Sequence, residues 1–101
     1  MGDMQITIVC LIKAKQDKRQ QVWQKLTDLA SMTRNEKGNI NYELHVCTTD
    51  ECLFIIYENW KDQLALDNHM AQPYLKDFLA KQEELLEQPI DGKICKIIKI
   101  Y

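Results

Sequence analysis

Hydrophobic positions along the chain change their spacing repeatedly, and each change marks an element boundary. Gln5 to Lys13 is a run of β-branched and apolar residues (Ile6, Ile8, Val9, Cys10, Leu11, Ile12) that predicts a strand buried on both faces. Asp17 stands where an N-cap is expected, ahead of Val22, Leu26, Leu29 and Thr33 at helical spacing with Trp23 and Ala30 beside them; this helix should end near Gly38. From Ile40 to Thr48 the period falls to two. Ile40, Tyr42, Leu44 and Val46 share one face, and Asn41, Glu43, His45 and Cys47 share the other. The polar turn Thr49-Asp50-Glu51 leads back into an apolar and aromatic strand from Cys52 to Trp60, completing a hairpin.

Beyond the hairpin the helical period returns. Asp62 is placed to cap a short helix in which Ala65, Leu66 and His69 fall on one face, and Pro73 interrupts it. A longer helix is predicted from about Tyr74, with Leu75, Phe78, Leu79, Gln82, Leu85 and Leu86 as its apolar stripe, stopped by Pro89 and Gly92. Alternating Ile and Lys from Lys93 to Ile100 predict a last strand. The resulting order, β, α, β, β, α, β, is that of an α+β ferredoxin-like fold with an antiparallel sheet, in one domain over residues 4–101. Such a fold puts both helices on one sheet face. The other face also carries apolar residues on strands one, three and four, which predicts a second copy packed sheet to sheet in a homodimer.

Length and composition support this reading and narrow the function. The 101 residues suffice for one core, and 46% hydrophobic and 28% charged residues describe a folded domain. The net charge of −2, spread without a basic stripe, argues against nucleic acid and anionic membrane surfaces as partners. No membrane-length apolar run or secretory leader is visible, which points to the cytoplasm. Ile6 breaks a myristoylation pattern after Met1-Gly2, and residues 1–3 can equally be an expression remnant ahead of a start at Met4. Cys10, Cys47, Cys52 and Cys95 contain no Cys-x-x-Cys pair, so neither zinc nor a redox motif is indicated, and free thiols are expected. There is no glycine-rich dinucleotide loop.

One set of residues carries a resemblance. Gly38, then Tyr42-Glu43-Leu44-His45, Tyr57-Glu58-Asn59-Trp60, Leu66, His69, Pro73 and Phe78 together resemble the antibiotic biosynthesis monooxygenase (ABM) domain family across nearly the whole chain. The resemblance implies a dimeric α+β barrel with a pocket between sheet and helices. It also implies oxygenation or oxidation of quinols and related aromatics by dioxygen with no cofactor, the substrate supplying the electrons. Relatives that degrade haem use an Asn in the first strand, where this chain offers Gln5 and Thr7. Others are associated with isomerising a phosphorylated quorum-sensing signal, a role needing a phosphate cradle to which Lys76 could contribute. A non-catalytic small-molecule module of the same fold is the third alternative.

Within that frame His69 is the candidate catalytic base, because imidazole titrates near neutrality and can take a phenolic or enolic proton. A lone His on an apolar helix face is also the ordinary pattern of a hydrogen-bonded core residue. Trp60, Tyr57 and Phe54 are candidates for walling an apolar substrate pocket, although strand alternation puts Trp60 and Tyr57 on opposite faces. Glu58 shares a face with bulky apolar groups and should meet a base, a hydroxyl or solvent; orienting His69 is one role open to it. Tyr74 stands where many relatives have a second His, and its phenol can donate a hydrogen bond. His45 and Glu43, on the polar face of strand two, are secondary candidates for substrate contact.

Overall fold

The computed structural model describes residues 4–100; the remnant expected at positions 1–3 and the terminal Tyr101 lie outside the described residues. Its elements are β1 (Ile6–Lys13), α1 (Arg19–Thr33), β2 (Asn39–Cys47), β3 (Asp50–Trp60), α2 (Gln63–Met70), α3 (Pro73–Leu79), α4 (Gln82–Leu85) and β4 (Asp91–Cys95). The sheet order is β2-β3-β1-β4, every neighbouring pair antiparallel, as the ferredoxin-like reading requires. β1 and β3 lie in the middle and pair along eight positions, Ile6↔Trp60 to Lys13↔Leu53. This register puts Ile8, Ile12, Phe54, Ile56, Glu58 and Trp60 on the face covered by the helices.

The core follows from the predicted periods. Val22, Leu26, Leu29, Ala30 and Thr33, the buried stripe of α1, meet Phe54, Ile56 and Tyr42 of the sheet. Trp23, beside that stripe, sets its ring edge-on against Phe54 at 5.9 Å while Arg19 covers its outer face at 5.4 Å.

Five local expectations are corrected. Asp17 caps nothing: Lys15 is pinned by its N–H to the Leu85 carbonyl (2.9 Å), the chain turns through a tight 3-10 segment, Gln16–Lys18, and α1 opens at Arg19 without a side-chain cap. That helix ends at Thr33, and a separate turn carries the chain to Gly38. Ile40 does not join Tyr42 in the core. Asn39 pairs with Trp60 and Asn41 with Asn59, so Ile40 is the extra residue of a bulge and is 54% exposed. The long helix from Tyr74 is two short ones, broken at Ala80 and Lys81, which lets Leu85 and Leu86 turn under the sheet where Leu86 bridges Ala14. The last strand begins earlier than predicted and ends at Cys95, because Cys95 pairs with Thr7 and β1 has only Ile6 left beyond it.

Among the described residues no helix covers the opposite sheet face. Val9, Leu11, Leu53, Ile55 and Tyr57 lie along it, and β1 is half-buried there rather than enclosed. At one end Asn59 accepts from Thr7 and Gln5 (3.2 Å from Gln5) and donates to Asn41 at 2.8 Å. Among the described residues no helix is long and apolar enough to cross a membrane. The four cysteines are free; Cys52 donates to Gln16 at 3.2 Å and Cys47 lies 3.4 Å from the Thr49 hydroxyl.

Candidate active site

The site is assembled around α2. Asp62, as predicted, caps this helix by accepting from the Ala65 amide at 2.9 Å. One turn later the helix places His69 beside Leu66, both buried against the sheet. The turn after α1 is drawn onto the same helix by Gly38. Its φ of +92° lies in the region L side chains avoid, and a Cβ there would sit 2.6 Å from the Ala65 Cβ, so only glycine lets the turn approach so closely. The Lys61 amide holds the turn by donating to the Gly38 carbonyl at 2.9 Å.

This packing delivers Glu36 to His69. His69 Nδ1 lies 2.8 Å from Glu36 Oε2, with the two side chains only 4% and 9% exposed. The Tyr74 hydroxyl donates to the same oxygen. A carboxylate can only accept, so Nδ1 carries a hydrogen, and in the neutral imidazole this leaves the lone pair on Nε2. Burial, then the bond to Glu36, push the Tyr74 phenol well above its ordinary range, so it remains a donor.

Trp60 fixes the other side of the imidazole. Fully buried, it stacks on His69 with centroids 4.5 Å apart and planes inclined by 32°. Its indole N–H donates to Glu58 Oε1 at 2.8 Å. One side chain therefore supports both the imidazole and the buried carboxyl. Burial raises the Glu58 pKa above its ordinary value, against the lowering effects of the Trp60 bond and His69.

His69 and Glu58 face a cavity of about 480 Å³ between sheet and helices. Its walls are mainly apolar, from Ile8, Ile12 and Ile56 on the sheet to Leu66, Leu75 and Phe78 on the helices. Tyr42 and Cys10 also face it. Burial, then Glu58 and Asp91, push the Cys10 thiol up to about 12, so at neutral pH it is a protonated wall residue and no nucleophile. Tyr42 is raised likewise, first by burial and then by Glu58, and stays a neutral phenol.

The structure divides the residues singled out from sequence. His69 and Glu58 line the cavity, Trp60 stands behind them, and Tyr74 reaches His69 only through Glu36. Phe54 packs under α1 and is no wall residue. Tyr57, His45 and Glu43 belong to the opposite sheet face: Tyr57 is 41% exposed, His45 lies against the Ile55 carbonyl at 3.3 Å, and Glu43 pairs with Arg34 at 3.2 Å. Sequence reading missed Glu36, which sits in a charged turn with nothing to separate it from its solvated neighbours. Cys10 was expected in a strand buried on both faces and Tyr42 on the apolar face of strand two, but only the packing shows a cavity there.

Comparisons with known proteins identify the family and the fold. The profile described as antibiotic biosynthesis monooxygenase matches residues 5–81. "Putative monooxygenase YcnE" of Bacillus subtilis is 34% identical over 86 residues, covering 85% of this chain and 90% of its own. The Synechocystis protein sll1783 is 33% identical over 96 residues, 95% of this chain, which spans only 65% of that relative's length. The crystal structure of PA3566 from Pseudomonas aeruginosa superposes with a TM-score of 0.90 at 24% identity, covering 98% of this chain and 99% of its own.

Proposed function

Because the chain belongs to the antibiotic biosynthesis monooxygenase family, we propose that it is a cofactor-independent monooxygenase of a small electron-rich phenol or enol, with His69 as the base. The observation that carries this reading is the imidazole itself: Nδ1 is committed to Glu36, the ring is stacked on Trp60, and His69 lines a mainly apolar cavity. That is how a base is held for one proton at one place.

In this reaction Nε2 removes the substrate's O–H proton, and Glu36 accepts the hydrogen bond of the imidazolium that forms. The resulting anion gives one electron to dioxygen, and the two radicals combine as a carbon–oxygen bond forms at a ring carbon. The imidazolium returns its proton to that peroxide, and loss of water, whose second hydrogen comes from the attacked ring carbon, breaks the oxygen–oxygen bond and leaves a carbonyl. One oxygen atom enters the product and the other leaves as water. The substrate supplies all four electrons, so the balance closes without an external reductant.

The apolar sheet face supports a homodimer, with a second copy covering Val9, Leu11, Leu53, Ile55 and Tyr57. Isomerisation of a phosphorylated sugar-like signal is less well supported, because among the described residues no Lys or Arg lines the cavity and Lys76 is exposed outside it. The test is oxygen uptake by metal-free protein over a panel of hydroquinones and polyphenols, corrected for autoxidation. Uptake that collapses in a folded His69→Ala variant supports the reading. Uptake equal in both proteins, or no greater than autoxidation, rejects it.

A further inference from the structure

The polar lining of the cavity has a sign. Its ionisable groups, apart from His69 with its committed Nδ1, are Glu58 deep inside, Asp67 nearer the mouth, and the neutral Cys10 and Tyr42. Among the described residues no cation reaches it. Lys93 on the adjoining strand pairs with Val9 and so lies on the far face of the sheet, where it meets Asp91 at 3.0 Å.

Glu58 is also incompletely bonded. Oε1 accepts the indole N–H of Trp60, whereas among the described residues the only hydrogen-bond partner of Oε2 is the Cys10 sulfur at 4.0 Å, a weak donor. A carboxyl buried to 3% exposure with one oxygen lacking a good donor gains most from a ligand that brings a hydroxyl. A ligand carrying its own negative charge would be penalised in the same apolar space, which holds this carboxyl and, among the described residues, no Lys or Arg. Glu36 adds to that penalty through its own charge nearby.

From this arrangement we infer that Glu58 is the specificity-determining residue of the cavity, accepting at Oε2 a hydroxyl other than the one His69 deprotonates and excluding carboxylated or phosphorylated aromatic substrates. This rests on the reading of the cavity as the substrate site. It narrows the substrate class to neutral phenols or enols of one or two fused rings, which the volume of about 480 Å³ accommodates. Trp60 is then a positioning residue for two groups at once: its ring sets the base and its N–H sets the oxygen that reads the substrate.

The experiment compares three redox-stable probes of one shape, 2-naphthol, 2-naphthoate and methyl 2-naphthoate, by calorimetric titration at neutral pH against the full chain and Glu58→Gln. Naphthol should bind the wild type, and naphthoate should bind at least about tenfold more weakly, a ratio equivalent to 1.4 kcal/mol. Glu58→Gln should bring the two within about threefold, chiefly by tightening naphthoate, since the amide keeps the shape and removes the charge. The neutral ester should bind the wild type better than naphthoate, a comparison that decides the matter even where the variant does not fold. Naphthoate binding as well as naphthol, an unchanged ratio in Glu58→Gln, or no naphthol binding at its solubility limit would each overturn the inference. Turnover of hydroquinones without charge discrimination sinks this inference alone, whereas discrimination without turnover sinks the monooxygenase reading and leaves the charge filter standing.

Discussion

Replacing Glu36 by Ala tests the arrangement that makes His69 a base. The substitution strands two donors, the buried Nδ1–H of His69 and the half-buried hydroxyl of Tyr74, both of which now end on Glu36 Oε2. Leaving the imidazole donor unpaired costs about 1–3 kcal/mol, and the phenol, which can still find water, about 0.5–1.5 kcal/mol. Against this stands the relief of removing a buried carboxyl whose other oxygen, Oε1, has no partner among the described residues, roughly 1 kcal/mol. The net expectation is a loss of about 0.5–3.5 kcal/mol, centred near 2 kcal/mol. Tyr74→Phe, which removes one donor and keeps the Glu36–His69 pair, should cost only about 1 kcal/mol. Urea unfolding followed by tryptophan emission measures both, and Trp60 stacked on His69 reports on the site directly. Turnover should divide more sharply than stability. Without Glu36 the imidazole can take the wrong tautomer or tilt, and a misplacement on the order of 1 Å costs about 100-fold, whereas Tyr74→Phe should stay within a few-fold of wild type. A Glu36→Ala protein within about 0.5 kcal/mol of wild type and equally active would refute the claim that Glu36 holds His69.

Gly38→Ala should destabilise by about 2–4 kcal/mol, from the positive φ and the 2.6 Å approach to Ala65, and adding Ala65→Gly should recover the contact portion; an unchanged urea midpoint would contradict this. Glu58 has a folded pKa raised above its ordinary 4.5, so over the window above that value the unfolded chain loses this proton first and stability falls as pH rises. Glu58→Gln should flatten that fall in urea midpoints measured from pH 4 to pH 8, and a parallel fall in the variant would show the proton lies elsewhere. Tyr57→Lys, which places a charge in the bare sheet face, should convert a dimer to monomer by light scattering while leaving the far-ultraviolet dichroism intact; a monomeric wild type would remove the proposed homodimer.

Most of the fold was legible because its signals are local. Two-residue alternation in β2 and β3, the Val22-Leu26-Leu29-Thr33 stripe, the Asp62 cap and the Pro73 break each announce an element within a few positions, and the order of elements leaves few topologies. The misplaced boundaries depend on distant partners. Asp17 fails as a cap because Leu85 holds Lys15, and β4 stops where β1 ends. Ile40 alternates correctly on paper and is thrown outward by a bulge that register alone creates. His69 was legible as a candidate, but its partner was not. Glu36 is 33 residues away in a turn, and only the approach of Gly38 to Ala65 brings it there. Tyr57 shows the converse: its neighbours in sequence, Glu58 and Trp60, face the helices, while strand alternation sends Tyr57 itself to the other face.

The central claim is that His69 generates a substrate anion that reacts with dioxygen in this cavity. It is tested most directly by incubating metal-free wild-type protein and His69→Ala with a neutral hydroxynaphthalene substrate under ¹⁸O-labelled dioxygen and weighing the product. One labelled oxygen atom per product molecule, formed with the wild type and lost with the folded variant, is the predicted result. Product formed equally by the two proteins, or oxygen drawn from water rather than dioxygen, would contradict it.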